Sequence, residues 1–306
     1  MKSIKVISNP NSGHNRKNPR HLQTLSKILQ NELYLPTLDQ LSNTIQRFQE
    51  ERLEILGISG GDGTIHQVLT TLNEVYQDNP WPKIVLLPSG TMNNIAKNTG
   101  FKKRSTVILR KVMDKIRTNQ PFQIIKKRPL IVGNRVGFIF GFGGIAQFLD
   151  AYYEGGNPSQ LKAATLLTRA IGSAFINGSF VKKVFRPTAV DIRVDGRSYI
   201  QHKRFTVAGI STLADLGFGF RPFYRTLTNH EVAQFIGFTQ PPIWIALALP
   251  KIRLASAIQS ERVADECGAT FTLKPESPMK YTIDGDLYTV SDTLDLTLGP
   301  MLEFIQ

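Results

Sequence analysis

The sequence predicts an α/β domain built on a parallel sheet, followed by a mainly antiparallel β domain. Three observations carry this reading. From Ile4 to Arg117 short apolar runs alternate with helical patterns, the signature of strands wrapped by helices. After Pro121 the texture changes to short β-type runs separated by turns. The chain has 306 residues, 41 % hydrophobic and 20 % charged, which is enough apolar material for a core in each of two domains.

The elements follow in order. Ile4–Ile7 reads as a buried strand, Ser8–Asn18 as a turn-rich loop, and Leu22, Leu25, Ile28 and Leu29 as one face of a helix. Leu33–Leu35 is a second apolar patch, ahead of a helix marked by Leu41, Ile45 and Phe48. Strand Leu53–Ile58 leads through a glycine turn to a helix carrying Ile65, Val68, Leu69 and Leu72. Strand Ile84–Leu87 is broken by Pro88-Ser89-Gly90, and a helical run over Thr106–Arg117 closes the series. Beyond it, Ile131–Phe140, Val190–Val194, Phe205–Ile210, Phe271–Leu273, Tyr281–Ile283 and Leu294–Leu298 read as strands, interrupted by one helical interval at Gln160–Phe175. Pro241–Leu254 suits helix and strand alike. The expected domains are residues 1–124 and 125–296, with a tail over about 297–306 that returns to the first.

Composition narrows the function classes. Cys267 is the only cysteine, so an internal disulfide and a Cys-clustered zinc site are excluded, and a reducing, cytoplasmic setting is expected. Ile4–Ile7 is too short for the apolar core of a signal peptide. Ile243–Leu249, closed by Pro242 and Pro250, falls far short of the roughly 20 residues that span a bilayer. The net charge of +13 includes clusters at Lys102-Lys103-Arg104, Lys126-Lys127-Arg128, Lys182-Lys183 and Lys203-Arg204. Such an excess favours anionic partners, whether nucleic acid, polyphosphate or the face of a membrane. No RNP-type, zinc-finger or helix-turn-helix signature is present, so no nucleic acid is expected as a partner.

The strongest chemical signal is Ser59-Gly60-Gly61-Asp62-Gly63-Thr64, between a β-run and a helix. Its glycines let the main chain approach a bulky anion, and the amides that open the helix point at it. Asp62 would repel phosphate, so it makes sense as a residue that holds Mg²⁺ through water or polarises an attacking hydroxyl. An ordinary β–α turn with Asp62 as helix cap is the plain alternative. Asn9-Pro10-Asn11-Ser12-Gly13 and Ser89-Gly90-Thr91-Met92-Asn93-Asn94 stand at equivalent places after two other strands. Ligands of open α/β sheets bind at the carboxyl ends of the strands, so the three loops would form one nucleotide cleft.

The order NPNSG, GGDGT, GTMNN and a late Asp-Gly-acid resembles the diacylglycerol kinase catalytic family. That family takes in small bacterial lipid kinases and the sphingosine and ceramide kinases, within the NAD-kinase-like superfamily. The resemblance covers nearly the whole chain. It implies a Rossmann-like nucleotide domain followed by a β-sandwich, ATP and Mg²⁺ as cofactors, a membrane lipid as substrate and a place in phospholipid biosynthesis. It also implies a cytoplasmic protein peripherally associated with an anionic membrane surface, and leaves a homodimer open. Carried across, Asn9, Pro10, Asn11, Ser12, Gly13, Thr37, Gly60, Gly61, Asp62, Gly63, Thr64, Gly90, Thr91 and Asn93 match nucleotide-binding positions, with Asp62 meeting the metal through water. Asp284-Gly285-Asp286 resembles the family's Asp-Gly-Glu, whose acids are the general base and its support; without the resemblance a hairpin turn would be the preferred reading.

The chain departs from the family where Asp286 replaces Glu, His66-Gln67 replaces Asn-Glu, and Asn94 replaces an Asp that organises metal-bound water. Leu216–Pro222 matches a family stretch, but the acidic site that follows in many bacterial members is missing from Phe223–Val232, so no structural metal is expected. These thinned acids leave open a nucleotide- or lipid-binding relative with weak catalysis. An NAD kinase is the other alternative, against which the NPNSG loop and the late Asp-Gly-acid speak. Gly141-Phe142-Gly143-Gly144-Ile145-Ala146 formally fits a dinucleotide fingerprint but sits in a β context without a following acid, so backbone approach to a lipid head group is preferred. The five histidines show no ligand spacing, and Asn177-Gly178-Ser179 is a sequon only in an exported chain. Gly217–Tyr224 and Pro241–Leu254 mix aromatic and apolar residues with Arg221, Arg225, Lys251 and Arg253, which suits an anionic interface and a plain core equally.

Overall fold

The computed structural model describes residues 3–154, 159–175, 178, 184–198 and 202–306. Asn177 and Ser179 of the sequon and the Lys182-Lys183 pair lie outside the described residues. The chain divides into two compact units. One comprises Met1–Lys127, Asn134–Val136 and Pro300–Gln306; the other comprises Arg128–Gly133 and Gly137–Gly299.

The first unit is an α/β layer structure. Its strands are β1 (Ile4–Ser8), β2 (Leu33–Tyr34), β3 (Ile55–Gly60), β4 (Lys83–Pro88) and β5 (Ile124–Lys127). The C-terminal strand Leu302–Ile305 enters the same sheet, between β4 and β5. β1 pairs in parallel with β2 and β3, and β3 with β4. Helices α1 (Gly13–Lys17), α2 (Pro19–Leu29), α3 (Leu38–Glu50), α4 (Asp62–Tyr76), α5 (Asn94–Asn98) and α6 (Ser105–Arg117) connect them. β1 and β3 are buried at every position, as parallel strands covered on both faces must be. The helices turn single stripes inward: Leu25 and Leu29 on α2, Leu41, Ile45 and Phe48 on α3, Ile108, Leu109 and Val112 on α6. Pro19 opens α2, and a Thr37–Gln40 capping box opens α3.

The second unit is a sandwich of two antiparallel sheets. Leu130–Val132, Thr188–Val194, Arg197–Ser198, Arg204–Phe205, Thr270–Pro275 and Leu294–Leu298 belong to one sheet. The other is ordered Val263–Gly268, Ala233–Phe238, Val207–Ser211, Ile139–Gly143, Met279–Ile283, Asp286–Val290. Alternate residues of the first sheet, such as Val190, Ile192, Phe271, Leu273 and Leu296, meet Phe140, Phe142, Phe205, Phe235 and Tyr281 in one core. Helix α7 (Gly144–Tyr153) follows strand Ile139–Gly143, and helix α8 (Gln160–Phe175) comes next. Helix α9 (Pro242–Arg253) covers the far face of the second sheet, with Ala248 and Ile252 on Ile236, Phe238 and Phe223.

The α/β plus β class expected from the sequence is the class observed. In detail, Ile131–Phe140 is broken into shorter strands, α7 and the strands Ala233–Phe238 and Val263–Gly268 lie outside the expected elements, and Pro241–Leu254 resolves as helix. The fingerprint at Gly141–Ala146 does open a helix, yet its strand pairs antiparallel on both sides, so no βαβ unit surrounds it.

Candidate functional site

Strands β1, β3 and β4 end side by side, with Ser8 opposite Ser59 and Gly60 opposite Pro88. Each then passes through a short loop into a helix, so the loops after β1, β3 and β4 share one edge of the sheet. Backbone bonds tie them together. Asn9 N donates to Ser59 O (3.0 Å), His14 N to Ser89 O (2.8 Å), and Ser89 N to Gly60 O (2.8 Å). Asn9 adds side-chain links: its Nδ2 donates to Thr64 Oγ1 (3.1 Å), and its Oδ1 accepts from Asn11 N (2.8 Å). Asn15 Nδ2 donates to Asn9 O (2.8 Å). In the third loop Asn93 adopts a left-handed conformation (φ 53°), and its amide closes a turn by accepting from Gly90 N (2.8 Å) and donating to Gly90 O (3.0 Å).

Asp62 is the first residue of α4, but its carboxylate caps a different helix. Oδ2 accepts from Asn94 N (2.9 Å) and Oδ1 from Ile95 N (3.0 Å), the amides that open α5. A charged acceptor on two orphan amides is a strong link, and it holds the second and third loops in fixed relation.

The glycines are where close approach requires them. A Cβ on Gly61 would lie 2.9 Å from Gly90 Cα, and one on Gly13 would lie 2.7 Å from Thr91 Oγ1. A Cβ on Gly90 would press on Gly61 Cα, and one on Gly60 on the Thr64 side chain. The loops therefore meet backbone to backbone, leaving bare main chain at the N-terminus of the 15-residue helix α4. Ser12 Oγ, buried in the first loop, has no hydrogen-bond partner among the described residues. Bare amides, a long helix N-terminus and an unsatisfied hydroxyl suit a polyphosphate. Thr37 follows β2 at the same edge and its amide donates to Gln40 Oε1 (3.2 Å), so its visible work is to cap α3.

Beneath the loops runs a polar seam that the sequence reading missed. Ser59 Oγ lies 3.3 Å from Ser89 Oγ, which lies 3.4 Å from His21 Nε2, and Ser105 Oγ donates to Pro88 O (2.8 Å). Burial, with His14 adding repulsion, holds the His21 imidazole below its ordinary pKa. The one sequence signal was the recurrence of Ser at the end of two strands, at Ser59 and Ser89. His66 lies on α4, buried, with Nδ1 2.6 Å from Val136 O.

In the second unit Asp284-Gly285 is a two-residue hairpin turn between Met279–Ile283 and Asp286–Val290, with Ile283 opposite Asp286. Both turn residues have positive φ (50° and 103°), as a type I′ turn demands. The Asp284 carboxylate accepts from Phe138 N (3.1 and 3.0 Å to its two oxygens) and Ile139 N (2.9 Å). A Cβ on Gly137 would lie 2.6 Å from Asp284 Oδ2, so Gly137 gives the acid its place. Asp286 is half-buried at the first position of the returning strand. Among the described residues no three His, Cys, Asp or Glu side chains gather as a metal site. No described helix is long and apolar enough to cross a membrane.

Residues 3–124 match the family model of the diacylglycerol kinase catalytic domain. The chain is 25 % identical over 248 residues to the Probable lipid kinase YegS of Salmonella arizonae, an alignment covering 79 % of this chain and 75 % of that protein. The fold is that of a diacylglycerol kinase crystal structure from Bacillus anthracis str. Sterne (TM-score 0.66, 13 % identity, 99 % of this chain and 96 % of that one). A second crystal structure from the same strain superposes with a TM-score of 0.71 at 14 % identity, covering 99 % and 96 % of the two chains. The resemblance to the diacylglycerol kinase catalytic family is thus borne out over residues 3–124, which hold the first three of the four motifs.

Proposed function

We propose that this chain, whose residues 3–124 match the diacylglycerol kinase catalytic domain, is an ATP- and Mg²⁺-dependent kinase that phosphorylates a hydroxyl of a membrane lipid. The observation that carries the reading is the meeting of Gly61 and Gly90 without side chains at the start of α4. ATP supplies the phosphoryl group, and Mg²⁺ would offset its charge. The protein's part is to position and to accept a proton. The α4 amides and the bare glycines receive the phosphates, Asn9 and Thr64 fix the loop that flanks them, and Asp62 locks the third loop in place. Asp286 accepts the proton of the lipid hydroxyl, and Asp284 holds the hairpin that carries it. The net charge of +13 supports a protein that works at an anionic membrane surface.

The test is incubation with γ-labelled ATP and mixed micelles of diacylglycerol, phosphatidylglycerol, sphingosine or ceramide, with NAD⁺ in a parallel arm. Label in one lipid, dependent on Mg²⁺, is the expected result. Label in NADP⁺ alone, or in no acceptor, would overturn the proposal.

A further inference from the structure

Helix α9 breaks the usual rule for a helix packed on a sheet. Its sequence PIWIALALPKIR is apolar on nearly every face, yet among the described residues the second sheet covers only the face of Ala248 and Ile252, and α8 packs on the helix as well. Trp244 and Leu247, three residues apart, are each 53 % exposed, and Leu254, seven residues further, is 78 % exposed. These three share a stripe with Lys251. A helix apolar all round is normally buried all round, so the open stripe calls for a partner. Nearby lie further exposed apolar side chains. Phe218 sits on the loop whose carbonyl accepts from Arg253 Nη1 (3.2 Å), and α8, which packs on α9, exposes Leu161.

The charge around the stripe selects the partner. The sequence from 232 to 260 has no acidic residue and carries Lys251 and Arg253. The sequence of α8 has none either and carries Lys162 and Arg169. An apolar stripe with a half-exposed Trp, with Lys251 in the stripe and Arg253 beside it, complements the interface of an anionic bilayer: apolar side chains enter the acyl boundary and bases meet phosphates. We infer that the exposed face of α9, with α8 beside it, is the surface by which the protein docks on an anionic membrane. This deepens the lipid-kinase reading, and its test omits nucleotide, so either can fail alone.

The experiment uses the full chain with Trp81→Phe, leaving Trp244 as the sole tryptophan, and vesicles of phosphatidylcholine with and without phosphatidylglycerol. The expected result is a blue shift of Trp244 emission and at least tenfold tighter partitioning onto the phosphatidylglycerol vesicles. Trp244→Ser with Leu247→Ser, followed by co-sedimentation, lowers that partitioning at least tenfold at an unchanged melting temperature, and Lys251→Glu narrows the preference for anionic vesicles. If the double variant fails to fold, Leu254→Ser, at the most exposed position of the stripe, provides the same comparison. Absence of binding, equal binding to both vesicles, or undiminished binding of the variants overturns the inference. So does a Trp244 shift that grows with protein concentration without vesicles, which would mean that a second copy covers the stripe.

Discussion

Asp284 and Asp286 stand on one hairpin, separated by Gly285, and their surroundings give them different work. The Asp284 carboxylate accepts from two backbone amides, at Phe138 and Ile139, while Asp286 begins a strand and is half-buried. Asp284→Asn keeps a residue that tolerates the left-handed turn but removes the charge from these bonds. It should destabilise the protein by about 1.5–3 kcal/mol, seen as a lower denaturant midpoint. Gly61→Ala forces a methyl group against Gly90, and should weaken ATP binding at least tenfold by calorimetry while costing about 1–3 kcal/mol of stability. His21 gives a pH dependence whose sign follows from its lowered pKa. Its contribution is fully present above the unfolded imidazole value near 6.5 and is lost as pH falls towards the lower folded value. Melting temperatures between about pH 7.5 and 5 should therefore fall more steeply for wild type than for His21→Asn. The general type of these residues was legible in the sequence; their partners were not. Asp62 finds Asn94 and Ile95 more than thirty residues on, and Asp284 reaches back to Phe138, contacts that have no period to read.

At the scale of elements, periodicity was informative wherever one face meets a core and the other meets water. α3 and α6 were readable for that reason, and so was the continuous apolar run of β3 between its neighbours. Helix α9 was ambiguous because its outward face is apolar too, so no contrast marks a helical repeat. Helix α7 escaped because it begins at Gly143-Gly144 within an apparent β-run, where the glycines serve close packing against Thr206 and Phe185. The five-residue helix α5 has too few residues to stand alone, and its first amides rest on Asp62. Asp62→Ala should thus loosen the third loop selectively, raising hydrogen exchange at Asn94 and Ile95 by about tenfold or more while the amides of β3 stay protected; a carboxylate-to-amide bond of this kind is worth about 1.5–3 kcal/mol.

Across the whole molecule, the division of labour follows the two kinds of sheet. The parallel sheet presents its loops at one edge, and the antiparallel sandwich carries the acid hairpin and the apolar helix α9. The change of texture after Pro121 announced this division, and Leu302–Ile305, within the tail over about 297–306, pairs in the first sheet. In the proposed kinase, Asp286 serves phosphoryl transfer to a lipid hydroxyl while Asp284 serves the fold. The most direct measurement is the rate of label transfer from γ-labelled ATP to the accepted lipid, for wild type and Asp286→Asn at equal folded fraction. A loss of about 10²–10⁴-fold is expected in the variant. A variant that transfers phosphate at the wild-type rate would contradict it.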